Sequence, residues 1–176
     1  LGLVLGGNYN GSATYGVDNY YVNDSLAWSI MSYMNAYDDE FDFGSPGDVN
    51  TYVGASLRYI YTPQIADIIA IQHLYGEYTS ANLGDTSWGF YGNTGNVAID
   101  NAVLSGALMS MTVYDNGGFD TLNFSNTSAN QLISLFSESL SSVLGGVHNL
   151  GIARDVLIER AIGGSGSDTI YGDNNY

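Results

Sequence analysis

Near the end of the chain, residues 161–173 read AIGGSGSDTIYGD. Four glycines and two aspartates fall in this stretch, which shows neither helical periodicity nor clean strand alternation. Such a segment has little side chain to bury, so something other than an apolar face must hold it. The run GGSGSDTIY, from Gly163 to Tyr171, fits the nonapeptide spacing G-G-x-G-x-D-x-U-x of calcium-binding parallel β-rolls. Glycine permits the tight turn and leaves main-chain carbonyls accessible, and Asp168 adds a hard carboxylate oxygen of the kind Ca²⁺ takes. Ile170 is then the residue expected to point inward, from a short strand between turns. A plain glycine-rich surface loop is the other reading of a single copy.

Two more turns share this texture. NLGDTSWGF (82–90) sets Asp85 beside Gly84, and YDNGGFDTLNF (114–124) sets Asp115 and Asp120 around Gly117 and Gly118. Any one of these aspartates alone reads as a solvated turn residue. As a set spaced between glycines, they point to calcium.

Composition agrees with a folded, cation-tolerant protein. The chain has 176 residues, enough for one domain or two small ones, and 45% of them are apolar, enough for a core. Eighteen acidic residues against three basic ones give a net charge of −15. Such a surface repels nucleic acid and anionic membranes, so neither is expected as a partner. The 13% aromatic content, with 15 Tyr, argues against the disorder that acidity alone would suggest. There is no cysteine, which excludes disulfides and thiolate metal sites. No run approaches the ~18 apolar residues of a membrane span. The opening LGLVLGG is short, lacks a basic flank and does not read as a signal peptide. Leu rather than Met at position 1 leads us to expect a piece of a longer protein.

The texture changes once along the chain. Up to about residue 62 it is loop-rich, with one compact apolar piece, AWSIMSYM (27–34). Then TPQIADIIAIQHLYG (62–76) reads as a helix over 63–75, with Thr62 as cap, Pro63 in the first turn and Gly76 as stop. Ile65, Ile68, Ile69, Ile71 and Leu74 put apolar groups nearly all round it, which predicts a buried helix. From Gly76 on, short strands alternate with Gly/Asn/Asp turns: SWGFYG, ALMSMTVYDNGG, DTLNFS, QLISLF and DVLIERAIGG. The spacing suits a sandwich or a solenoid.

In this order the pieces resemble the serralysin family of secreted bacterial zinc metalloproteases, a branch of the metzincins, over nearly the whole chain. SIMSYM (29–34) is similar to the family's Met-turn, and TPQIADIIAIQHLYG to the helix closing its catalytic domain. GDTSWGF, DNGGFDTLNFS and LIERAIGGSGSD are similar to successive calcium-binding stretches of its C-terminal domain. The fold class expected is α+β overall. A loop-rich remnant of a metzincin catalytic domain with one buried helix occupies residues 1–75, and a mainly β domain, a calcium-binding β-roll or sandwich, occupies 76–176. The resemblance assigns calcium-ligand roles to Asn82, Gly84, Asp85 and Thr86, to Asp115, Gly117, Gly118 and Asp120, and to Leu157, Glu159, Gly164, Gly166 and Asp168. Asn82 stands where the family has Arg, and Leu157 where it has Thr. A main-chain carbonyl survives either change, whereas a hydroxyl contact at 157 would not.

The zinc half of the resemblance is incomplete. Metzincins use H-E-x-x-H-x-x-G-x-x-H, with three His on zinc and Glu as general base. LGLVLGGNYN aligns with the tail of that motif, so Gly2 is its glycine and the third His position falls on Leu5, which has no lone pair for a metal. Gly6 stands where a proline is usual. The resemblance makes Met31 the apolar floor beneath the metal, and Tyr33 the zinc-proximal tyrosine that can help stabilise an oxyanion. An ordinary core methionine would pack as Met31 does. The two histidines, His73 and His148, fall at no ligand position; a core role is expected for His73 and a solvated turn for His148.

Two functions therefore compete. One is the C-terminal part of a zinc endopeptidase acting on proteins or peptides, inactive without its N-terminal half. The other is a non-catalytic, calcium-dependent secretion or binding module. Either way the resemblance implies a secreted, extracellular protein exported by a bacterial one-step secretion apparatus without a cleaved N-terminal signal.

Overall fold

The strands of this protein are two to five residues long, and nearly all of them pair in parallel. The computed structural model describes residues 15–32, 34, 53–55 and 59–173. In chain order the elements are β1 (Tyr59–Ile60), α1 (Ile65–Tyr75), β2 (Ser87–Gly89), α2 (Val97–Asp100), a 3₁₀ segment (Ala102–Leu108) and β3 (Met109–Val113). They continue with β4 (Thr121–Asn123), β5 (Leu132–Ser134), β6 (Leu140–Ser141), β7 (Leu150–Ile152), β8 (Arg160–Ile162) and β9 (Thr169–Tyr171). Sheet dominates and helices are few, so the α+β class holds.

Three sheets form, in the orders β1-β3-β7-β6, β2-β4-β8 and β5-β9. Among the described residues, β6–β7 is the one antiparallel strand pair, with a single antiparallel bridge between Leu132 and Ser142 beside it. Parallel neighbours cannot be joined by a hairpin, so the chain leaves each sheet, passes through another and returns. This wrapping sets Ser87 beside Thr121 and Thr121 beside Arg160, and sets Ile133 beside Ile170.

The core lies between the sheets. Trp88 from β2, Met109, Met111 and Val113 from β3, Leu122 and Phe124 at β4, Ile133, Leu150 and Ile152 are all buried in one cluster. β3 is buried along both faces. Its methionines and valine enter the core, while Ser110 and Thr112 meet the start of α1: the Ser110 hydroxyl donates to Gln64 Oε1 at 3.4 Å and the Thr112 amide to Thr62 Oγ1 at 2.6 Å. Ile65 seats over Gly151, where even a Cβ would stand 3.0 Å from the Ile65 side chain. A side chain there would press on Ile65 and push the helix and sheet slightly apart.

The helix departs from expectation in two ways. Thr62 is not its cap; Gln64 is, and Pro63 lies outside the helix. Pro63 has no N–H, so pairing of β1 with β3 cannot continue past it, and the Thr62 hydroxyl takes up the next β3 amide instead. Nor is the helix buried. Ile65 and Asp67 are its only buried residues, and Ile71, Leu74 and Tyr75 are 46%, 53% and 83% exposed. Apolar groups point all round it, and among the described residues the sheet covers one side. Gly76 ends it as expected, with φ 84° and its amide donating to Gln72 O at 2.9 Å.

Residue 170 also departs. Ile170 pairs in register with buried Ile133, yet it is 44% exposed, because among the described residues β9 is flanked by β5 alone, whereas β5 also bridges to Ser142.

Asp67 joins the two ends of this arrangement. Its carboxylate is buried and accepts from the Ser29 hydroxyl at 2.6 Å, the Ile30 amide at 2.9 Å and the Gln64 amide at 2.8 Å. One side chain thereby caps α1 and holds the 29–30 turn against it. Removing it leaves buried donors without an acceptor, so Asp67→Ala should destabilise the chain by about 2–4 kcal/mol. Urea unfolding checks this; a cost under about 1 kcal/mol, the range of ordinary surface positions, would show that the turn is held by other contacts.

Candidate metal centre

Register builds the site. Ser87, Thr121 and Arg160 open β2, β4 and β8 side by side, so the residues before them, Thr86, Asp120 and Glu159, come into one row. The row is knit by carboxylates accepting amides from the neighbouring turn. Thr86 N–H donates to Asp120 Oδ1 at 2.8 Å, and Asp120 N–H donates to Glu159 Oε2 at 2.6 Å. Phe119 N–H donates to Asp85 Oδ1 at 2.9 Å, and the Thr86 hydroxyl donates to the Gly84 carbonyl at 2.9 Å. Gly118, at φ 129°, passes so close to Gly84 that a Cβ would meet that residue's carbonyl at 2.5 Å. Only glycine fits both the backbone angle and the gap.

Asp115 and Asp120 are 2% and 1% exposed. Asp115 accepts the Gly117 amide on Oδ1 at 3.2 Å and the Trp88 indole N–H on Oδ2 at 3.1 Å. Asp120 Oδ2 is buried with no hydrogen-bond partner. A bare carboxylate oxygen in a dry place is costly unless a proton or a cation neutralises it. Burial, then the negative charge and close carboxyl–carboxyl approach of Asp115 and the charge of Glu159, push the Asp120 carboxyl from 3.8 up to about 7, against the opposing pull of the Thr86 amide.

Gly164, Gly166 and Asp168 do not join this row. They face residues 127–131. Asp168 accepts the Gly164 amide at 2.7 Å and the Gln131 amide at 3.0 Å, and Gly166 runs so close to the Ala129 carbonyl that a Cβ would stand 2.5 Å from it. Asn82 takes φ 51° and braces the Tyr114 carbonyl through its side-chain amide at 3.1 Å. Leu157 is half-buried and offers only main-chain oxygen. Among the described residues, no three His, Cys, Asp or Glu side chains form a metal-holding group. A cation in the row would therefore take much of its oxygen shell from carbonyls and the Thr86 region. Trp88 and the carbonyls of 127–129 carry no signal in sequence that would mark them.

The zinc-related positions fare differently. Leu5 and Tyr33 lie outside the described residues. Met31 is 45% exposed, and its amide donates to Ser29 Oγ at 3.0 Å. His73 is exposed on α1 rather than in the core, on the side the sheet leaves uncovered. His148 sits in a turn at φ 49° but is not simply solvated, since its Nδ1 lies 2.8 Å from the Gly54 carbonyl.

The geometry is that of a β-rich region built from short, mostly parallel strands whose turns carry glycines and interlocked carboxylates. Residues 78–176 match the family described as peptidase M10 serralysin C terminal. The chain belongs to the serralysin family. It is 41% identical over 177 residues to the metallopeptidase AprA of Pseudomonas marginalis, an alignment covering 99% of this chain and 35% of that protein. Against serralysin of Proteus mirabilis identity is 38% over 178 residues, covering 99% and 33%. Against a serralysin C of Dickeya chrysanthemi it is 41% over 173 residues, covering 97% and 33%. The chain thus spans about a third of the length of the curated relatives it matches.

A pH dependence follows from Asp120. Its folded value lies above the ordinary one, so between about 4 and about 7 the folded state holds a proton that the unfolded state has released. In a chelator, stability should therefore fall as pH rises through that window and level off above it. Asp24, also raised by burial, acts with the same sign, so the difference between wild type and Asp120→Asn isolates the effect. Melting curves from pH 4 to pH 8 that run parallel for the two proteins would contradict it.

Proposed function

We propose that this chain is the C-terminal portion of a secreted metalloendopeptidase acting on proteins or peptides. Residues 76–176 form its calcium-binding β domain and residues 1–75 belong to its catalytic domain. Family membership supports the peptidase assignment. The observation that carries the calcium reading is the buried, partnerless Asp120 Oδ2 set among Asp115 and Glu159 at the mouth of three parallel strands.

Calcium fits this donor set. It takes six to eight hard oxygens, from carboxylates, carbonyls and hydroxyls, without demanding strict geometry. Asp85, Asp115, Asp120 and Glu159 would supply carboxylates, Thr86 a hydroxyl, and Asn82, Gly84, Gly117, Gly118 and Leu157 main-chain carbonyls. Gly164, Gly166 and Asp168 would contribute to a second position beside 127–131. A bound ion supplies positive charge where carboxylates crowd, and so offsets their repulsion. The parallel pairing of β2-β4-β8 and β5-β9, together with GGSGSDTIY, favours a β-roll over a sandwich as the description of this half.

Zinc does not fit the described residues. His73 and His148 belong to no metal-holding group, and Leu5, at the third ligand position, has no donor. We therefore expect no peptidase activity from the 176-residue chain alone. Casein cleavage by the purified chain that phenanthroline abolishes would overturn this. The second reading, a non-catalytic calcium-dependent module of a secreted protein exported by a one-step apparatus, is favoured by Leu5 and by an acidic row whose hydrogen-bond partners among the described residues lie within 76–176.

Calcium should control the fold of the β half. An ion that binds only the native state stabilises it by about 2.7 kcal/mol at a hundredfold excess over Kd. In circular dichroism during a calcium titration, wild type should gain β structure and melt higher, and Asp120→Ala with Asp168→Ala should need much more calcium. Equal folding and equal stability of wild type in a strong chelator, with no bound calcium detected, would sink the reading.

A further inference from the structure

Resting on the calcium reading above, we propose that Trp88 is a positioning residue for the cation row: its indole N–H fixes the Asp115 carboxyl group and keeps it aimed for the ion. Trp88 stands in the middle of β2, buried in the main core cluster beside Leu122 of β4, its partner in register. It is one of only two tryptophans in the chain. Its Nε1 reaches out of that apolar cluster to Asp115 Oδ2 at 3.1 Å, across 27 positions of sequence.

What the indole does to Asp115 follows from the chemistry of the pair. Asp115 is nearly fully buried, so its polar oxygens need donors. It has one on each oxygen, Gly117 N–H on Oδ1 and Trp88 Nε1–H on Oδ2. Each oxygen keeps lone-pair capacity beyond that single bond, so the carboxylate stays available to a metal while its plane is fixed. Both donors are neutral. An Arg or Lys in the same place would cancel the negative charge that a divalent cation needs, whereas an indole orients the carboxylate and leaves the charge intact. Asp120 differs, since one of its oxygens accepts from Thr86 and the other has no donor. The two aspartates thus divide the work: Asp115 is pre-oriented by the core, and Asp120 brings the oxygen most in need of a cation. Groups that orient a metal ligand in this way typically change affinity by about 10–100-fold when removed.

The test replaces the N–H while keeping the shape. Benzothienylalanine at position 88 is a near-isostere of tryptophan with sulfur in place of the N–H, and Trp88→Phe serves as the simpler companion. Calcium chloride is titrated into the 176-residue chain by calorimetry, and each protein is melted in chelator and in saturating calcium. The expected result for the isostere is calcium binding weakened about tenfold or more, in addition to a modest fall of the melting temperature in chelator from the lost hydrogen bond. Trp88→Phe should show the same loss of affinity, together with some loss of stability in both conditions. If the isostere binds calcium as wild type does, or if both melting temperatures fall equally at unchanged affinity, Trp88 is only a core residue and the proposal fails while the calcium reading stands. If wild type itself takes up no calcium, the calcium reading fails and the proposal with it.

Discussion

Parallel pairing of β2, β4 and β8 is the constraint on which the rest of the β half depends. In a parallel stack the residues that precede neighbouring strands also stand side by side, so whatever chemistry they carry is repeated along one edge. Here they are Thr86, Asp120 and Glu159, two of the three acidic. The stack thus concentrates negative charge at one end of a core that is otherwise apolar. Amides answer part of that charge, as each carboxylate accepts from the turn beside it. Asp120 Oδ2 is what remains unanswered.

The same carboxylates act as structural pins and as candidate ligands, and the two roles do not compete. A carboxylate oxygen that accepts one amide still has capacity for a cation. Asp85, Asp115, Glu159 and Asp168 all use main-chain donors of a nearby or neighbouring turn, so the turns are pre-shaped around the place where an ion would sit. Glycine completes that shaping where turns touch, at Gly118 against Gly84 and at Gly166 against Ala129. An ion would then find its ligands largely arranged, and its contribution would be chiefly to remove repulsion rather than to gather distant groups.

The helix belongs to a different kind of joint. Through Asp67 it fixes the 29–30 turn, and through Ile65 and Gln64 it lies on the face of β3 opposite the core. Ile68 also packs against the core cluster, while Ile71, Leu74 and Tyr75 stay largely exposed among the described residues. A sequence apolar on all sides is therefore only half used here, which is why its periodicity could not reveal which side would be buried.

Much could be read before any fold was known. Glycine and aspartate spacing marked the turns at 84–86, 115–120 and 163–168, Gly76 marked the end of α1, and the order of these pieces pointed to the family. Local rules suffice there, because a positive φ, a chain reversal or a helix stop is decided within a few residues. Other features were decided only by tertiary structure. Thr62 turned from cap to strand partner because Pro63 ended the pairing of β1, and Ile170 is left half exposed because, among the described residues, β9 has a strand neighbour on one side only. The strand Leu150–Ile152 appeared in a segment without strand signals because β3 lay ready to pair with it. The acidic row and its indole brace belong with these. Asp120 meets Thr86 across 34 positions, Glu159 meets Asp120 across 39, and Trp88 meets Asp115 across 27. Residue types and turn spacing are written locally, but which carboxylate faces which donor is set by the register of strands far apart in the chain, and register exists only once the sheets have formed.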